Sequence, residues 1–367
     1  MGVSKQRIDY IDQFRGFIGI MMILGHSSYY LNSVWKQLDP FDPIFPTWGQ
    51  FAVRYAGYIC APGFLMMAGA MVFLSFHRQV SGGLRPIKSK WYFLQRGLFL
   101  ILIQMTWVNS AWGGFSALNP WHFGIISTIG MSVILLIPLV QTRWYMRAGI
   151  ALLILLIHPL LLTIPYNPES ILHTVLMETF ITAGDFNKYP VLPWFALALL
   201  GSVMAHFWFT QWDTFIKKIL WGFSIAAIAI LLAIGVRIIN GYGTILPFSD
   251  FGSISFFVDQ KYPPSLFHNL LFFGFVVTGV TCFVILNKYL PRFAGIFSIP
   301  GKVPLFFYCI HLAILGIFVK RLNFYYLEGG IWLTFIGFFV LLAIMLPLAG
   351  WFFRVKLRSN NYFIRMI

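Results

Sequence analysis

The stretch FRGFIGIMMILGHSSYYLN, residues 14–32, places two ionisable groups where chemistry can occur. It is long and apolar enough to cross a bilayer, yet Arg15 stands near one end and His26 well inside. Ionisable groups are costly in lipid, so each is a site hypothesis by default. An imidazole there can take a proton from a nucleophile or carry an acyl group itself. It can equally be a hydrogen-bonding residue between helices, and residue type leaves both readings open. Further candidates lie along the chain. Arg54 and Tyr58 are four apart and share a helical face, although an arginine at a helix end can also snorkel. His122 opens an apolar run in NPWHFG, Asp185 precedes another, and Lys261 and Tyr262 close a long connection. His311 sits inside PLFFYCIHL. His158, His206 and His268 read as packing or interfacial residues.

Elements of membrane length must position these groups. Of 367 residues, 59% are hydrophobic and 10% charged, and mean hydropathy is +0.79. A soluble protein of this size could not hide so much apolar surface. The net charge of +15 does not point to nucleic acid, because the basic residues sit in short connections between apolar segments. The three cysteines have no disulfide or zinc spacing. Phosphate-loop, dinucleotide, nucleophile-elbow and metal motifs are absent, and no metal is expected.

Ten apolar segments are long enough to span: about 13–33, 51–76, 92–110, 122–140, 146–164, 191–210, 217–238, 266–287, 302–319 and 331–353. With the N-terminus in the cytoplasm, 19 of the 26 lysines and arginines fall on the cytoplasmic side, Lys5 and Arg7 among them. The expected fold is an all-α polytopic membrane helix bundle of about ten spans with both termini cytoplasmic, one integral-membrane domain over 1–367. The first segment reads as a retained helix rather than a cleaved leader, since Arg15 and His26 interrupt it. Three long outer connections, 34–50, 165–190 and 239–265, are expected to fold back over the bundle mouth, with a short interfacial helix over 170–182. In this topology His26, Arg54, Tyr58, His122, Asp185, Lys261 and His311 share mid-depth or the outer half of the bundle.

The opening RIDYIDQFRGFIGIMMILGH resembles that of transmembrane acyltransferases, in which an Arg and a His on the first helix have ten residues between them, as Arg15 and His26 do. More specifically, the chain resembles the bacterial relatives of heparan-alpha-glucosaminide N-acetyltransferase. Six further stretches carry the likeness in order: RYAGYICAPGFLMMAGAMVFLS from Arg54, FLQRGLFLILIQ around Arg96, HFGIISTIGMS from His122, YPVLPWFALALLGS containing Trp194, KYPPSLFHNLLFFG from Lys261, and GKVPLFFYCIHL reaching His311. The resemblance implies an acyl-CoA-dependent O- or N-acetyltransferase of a bacterial inner membrane. Its donor is cytoplasmic acetyl-CoA or another acyl-CoA, and its acceptor a carbohydrate or glycan on the far side. It implies membrane lipids as neighbours and leaves self-association open. His26 and His311 become the catalytic candidates. Arg54, Tyr58, His122, Asp185, Trp194, Lys261 and Tyr262 become acceptor-binding candidates, and Arg15 and Arg96 donor-phosphate candidates.

The chain departs from the family pattern at a telling place. Relatives often read Asp-His-x-Arg-Asp around the first-helix histidine, whereas here Gly25, Ser28 and Tyr29 flank His26. Tyr58 stands where many relatives have another histidine. Two other readings therefore stay open: a transporter or flippase of a small polar solute or lipid-linked sugar, or a family member that has lost catalysis and serves as a binding or assembly subunit.

Overall fold

A computed structural model describes residues 8–39, 41 and 45–366. Lys5 and Arg7, assigned above to the cytoplasmic side, lie outside the described residues, as does part of the 34–50 connection. Among the described residues the fold is all-helical, with no strands. Its main helices are α1 (Asp9–Leu31), α2 (Trp48–Ser81), α3 (Pro86–Ile103), α4 (Gly124–Leu136), α5 (Trp144–Leu161), α6 (Ile171–Phe180), α7 (Val191–His206), α8 (Phe215–Ile239), α9 (Leu266–Tyr289), α10 (Pro304–Ile314) and α11 (Ile331–Arg358). Wider turns extend α7 to Gln211 and α10 to Arg321. The expected short helix over 170–182 is α6, capped by the Ser170 hydroxyl.

Seven of these helices, α2, α5 and α7–α11, are long and apolar enough to cross a membrane. This is the character of an integral membrane protein. The α7 span buries 78% of its apolar window, while α8 and α11 bury only 22% of theirs. Side chains so apolar and so exposed need lipid as solvent. The helices at the other three predicted spans miss that measure for visible reasons. Arg15 and the His-Ser-Ser run interrupt α1, Lys88, Lys90 and Arg96 charge α3, and α4 has 13 residues.

By internal contacts the chain divides into two compact units. The first comprises residues 61–105 and 121–281. Its centre is α7, whose Trp194, Leu197 and Leu199 are fully buried, packed by α4 and α5. Small residues let helix backbones meet: a Cβ on Gly69 of α2 would strike the Ala198 carbonyl, and one on Gly201 of α7 would strike that of Met66. Gly201→Val should therefore abolish the monodisperse folded fraction in detergent chromatography, its cost at or above the ~3 kcal/mol upper end usual for overpacking. Gly149→Ala, where a Cβ meets open space, is the matched control. A normal Gly201→Val profile would refute this close crossing.

The second unit comprises residues 8–60, 106–120 and 282–366. Its centre is α1, packed by α10, α11 and the 298–302 turn. Asp9 and Asp12 in the first turn complement the helix dipole. The helix stops at Asn32, whose side-chain oxygen accepts from Val34 N. Backbone bonds from Ser33 N to Gly329 O and from Gly329 N to Leu31 O, both 2.8 Å, then tie this end of α1 to the segment before α11. His26 stands less than two turns before that tie.

Candidate active site around His26

His26 and His311 lie 285 residues apart in sequence and are hydrogen-bonded, Nδ1 to Nε2, at 2.7 Å. His311 is fully buried, whereas His26 is half-buried. The other His311 nitrogen, Nδ1, is 2.6 Å from the Phe307 carbonyl. A carbonyl oxygen only accepts, so His311 Nδ1 carries the proton. In the neutral ring His311 Nε2 is then the acceptor, and His26 Nδ1–H donates to it. This leaves His26 Nε2 as the unprotonated nitrogen. The chain of bonds fixes ring orientation and tautomer together, the service a carboxylate often performs for a histidine. Pro304 at the start of α10 begins the helix that carries Phe307 and His311 in register, four residues apart.

Aromatic rings surround the pair. Trp112 meets His26 edge-on at 5.2 Å, and Tyr308 at 6.1 Å. Tyr29 contacts both Trp112 and Trp35 at 5.4 Å. The Arg54 guanidinium lies 4.6 Å over Trp35 and 5.3 Å from the Tyr58 ring. Lys320 Nζ donates to the Trp112 carbonyl at 2.9 Å. The departures from the family pattern acquire structural content here. Gly25 faces Gly57 where α1 and α2 approach, a Cβ on Gly57 lying 3.6 Å from the Gly25 Cα. Ser28 accepts a 3.1 Å hydrogen bond from Trp35 Nε1, and Tyr29 joins the rings. Trp35, Trp112 and Lys320 were not singled out from sequence. Tryptophans near helix ends are ordinary in membrane proteins, and nothing in their spacing marks a convergence on His26.

The predicted residues divide between the units. His26, His311, Arg54, Tyr58 and Arg15 belong to the second. Arg15 is paired with Asp12 at 3.3 Å, eleven residues and about 16 Å of helix from His26. Arg96, His122, Asp185, Trp194, Lys261 and Tyr262 belong to the first. There His122 Nδ1 donates to the Asp185 carbonyl at 3.1 Å, while the Asp185 side chain is exposed. The Tyr262 hydroxyl is 3.0 Å from that of Tyr189, and the buried Lys261 ammonium lies 5.3 Å over the Tyr262 ring. Trp194, fully buried, packs 5.7 Å from Tyr189 and 6.1 Å from His268. Arg96 is half-buried on α3. Among the described residues no three His, Cys, Asp or Glu side chains group as metal ligands.

A direct comparison with curated proteins returns no match. The sequence model of the heparan-alpha-glucosaminide N-acetyltransferase catalytic family matches residues 7–242. The match takes in His26 and Arg54 and stops before His311, the residue that the fold brings against His26. Because it covers well over half of the chain, the protein belongs to the heparan-alpha-glucosaminide N-acetyltransferase catalytic family.

Proposed function

We propose that the protein is a membrane acyltransferase that moves an acyl group, acetyl in the first instance, from cytoplasmic acyl-CoA to a carbohydrate on the outer side. The observation that carries this reading is the 2.7 Å His26–His311 bond, which fixes the tautomer of a half-buried imidazole set among aromatic rings. His26 Nε2 takes the proton of the acceptor nucleophile as it attacks the thioester carbonyl. The acyl C–S bond breaks, the new acyl bond forms, and the proton leaves with the CoA sulfur as the thiol. His311 acts through His26 as a positioning residue. Arg54 and Tyr58 are assigned to the acceptor, and His122, Asp185, Trp194, Lys261 and Tyr262 remain acceptor-binding assignments in the other unit. Donor phosphates are assigned to Arg96 and, once released from Asp12, to Arg15. Ten spans with both ends cytoplasmic, in a bacterial inner membrane, give donor and acceptor their opposite sides.

The test is labelled acetyl-CoA with purified protein in detergent. Saturable binding and transfer to added sugars are expected, and the absence of binding by folded protein would sink the donor assignment. His311 has its own test. His311→Leu removes the acceptor for His26 Nδ1–H and should lower kcat about 100-fold at unchanged donor KM. His311→Gln offers an amide oxygen at similar reach and should recover part of that loss with an altered pH profile. Equal activity of Leu, Gln and wild type would remove His311 from the mechanism.

A further inference from the structure

Arg147 is buried without a counter-ion, and from this we infer a binding site for a phosphate group where α2 and α7 end and α5 begins, the cytoplasmic end of these helices in the proposed topology. The inference is independent of the acyl-transfer reading. Arg147 stands in the first turn of α5 and is 1% exposed. Its Nη1 donates to the Ser202 hydroxyl at 3.0 Å and to the Ser202 carbonyl at 3.3 Å, and its guanidinium lies 4.6 Å over the Phe73 ring. Its Nε–H is buried with no acceptor. Neither α2, α5 nor α7 with its extension to Gln211 contains an Asp or Glu. Among the described residues no carboxylate pairs with Arg147. A buried guanidinium with an idle N–H and no counter-ion is costly to hold in place. An anion with several acceptor oxygens removes that cost, and phosphate suits the planar fork of an arginine.

The surroundings of Arg147 favour the same ligand. Two half-buried histidines pack on the same phenyl ring, His77 at 4.1 Å and His206 at 5.9 Å from Phe73. His77 Nδ1–H donates to the Phe73 carbonyl at 2.8 Å, which fixes its ring. These rings lie between the buried arginine and the surface, and in the protonated form each donates to an anion. The N-terminus of α5 brings the positive end of its dipole to the same place, with no acidic residue in its first turn. Trp144 and Tyr145 in that turn are exposed, and Trp144 packs 5.0 Å from Phe207, as aromatic residues do at headgroup depth. Phosphate reaches that depth on a phospholipid headgroup or as a soluble phosphate, and the test separates the two.

The full chain, delipidated in a neutral detergent, is titrated with dioctanoyl phosphatidylglycerol, with dioctanoylglycerol, which lacks the phosphate, and with inorganic pyrophosphate. Binding is read from the thermal midpoint. A phosphate-bearing probe should raise the midpoint saturably and dioctanoylglycerol should not. Arg147→Met should weaken that response about tenfold or more, and Arg147→Lys, which keeps the charge but not the fork, should fall between. Lys217→Met, which removes an exposed cation already paired with Asp213 at 2.8 Å, should leave it unchanged. Without ligand, Arg147→Met should melt at or above wild type. It removes an uncompensated charge, and the Ser202 hydroxyl keeps its 2.6 Å bond to the Leu199 carbonyl. A response to phosphatidylglycerol alone assigns the site to a lipid headgroup, and a response to pyrophosphate alone to a soluble phosphate. No response to either probe, equal affinity in wild type, Arg147→Met and Arg147→Lys, or a ligand-free Arg147→Met protein that melts well below wild type, would overturn the inference.

Discussion

His26→Ala should lower acyl transfer about 10²–10⁴-fold, the range general-base removal usually costs, equivalent to about 2.7–5.4 kcal/mol of transition-state stabilisation. Donor binding should survive, because His26 lies near the outer end of α1 and the donor enters from the other side in the proposed topology. The fold should survive as well, since the side chain is half-buried and its loss exposes one acceptor, His311 Nε2. His26→Gln guards against a misleading cavity: it fills the space and can donate to His311, but it offers no basic nitrogen. Both variants should therefore bind acetyl-CoA normally and transfer poorly. Label retained on wild-type protein after removal of free donor, and absent from both variants, would make His26 the acyl carrier. Label passing only to the acceptor would make it the base. A His26→Ala protein that transfers at the wild-type rate would remove the imidazole from the reaction and return the family likeness to a binding role.

The legible part of this site was the part that violates its local surroundings. His26 stands out because it interrupts an apolar run, and the same interruption keeps α1 from qualifying as a span on apolar length alone. The apolar segments were readable because a helix in lipid satisfies its own backbone and must carry its solvent preference on its surface. The partnership with His311 was not readable. It joins residues 285 apart, and the signal that would have found it, the Phe307 carbonyl four residues back, exists only once α10 is folded. The flanking changes at Gly25, Ser28 and Tyr29 looked like losses in sequence. In the fold they become a close helix approach, a hydrogen bond to Trp35 and a ring contact, while His311 orients the imidazole. Neither of two carboxylates elsewhere in the chain is seen to serve it: the Asp185 side chain is exposed, and Asp259 faces Arg237.

Arg237 and Asp259 supply the second large effect, on stability. Sequence places Arg237 near the end of α8 and Asp259 in a loop, with no sign of a pair. Both side chains are fully buried, with Arg237 Nη1 3.8 Å from Asp259 Oδ2. Arg237 also donates to the carbonyls of Leu246, Ser255, Phe256 and Val258, and Asp259 accepts from the backbone of Ile245, Leu246 and Gln260. The pair thus satisfies backbone on both sides of the 241–265 connection and holds it to α8, which ends there with Asn240 in the left-handed region. Desolvation makes such a pair a weak source of net stability while intact, but removing one partner strands the other charge and its bonded amides or carbonyls. Arg237→Met and Asp259→Leu should each cost about 3–5 kcal/mol, read as a large fall in thermal midpoint in one fixed detergent. Asp259→Asn should cost less than Asp259→Leu, because its amide oxygen still accepts from the loop. The double variant Arg237→Met/Asp259→Leu should be less destabilised than the sum of the singles, since neither charge is then left alone. Strict additivity would mean that the two residues act only through the backbone each one holds, and the ion pair would drop out of the account.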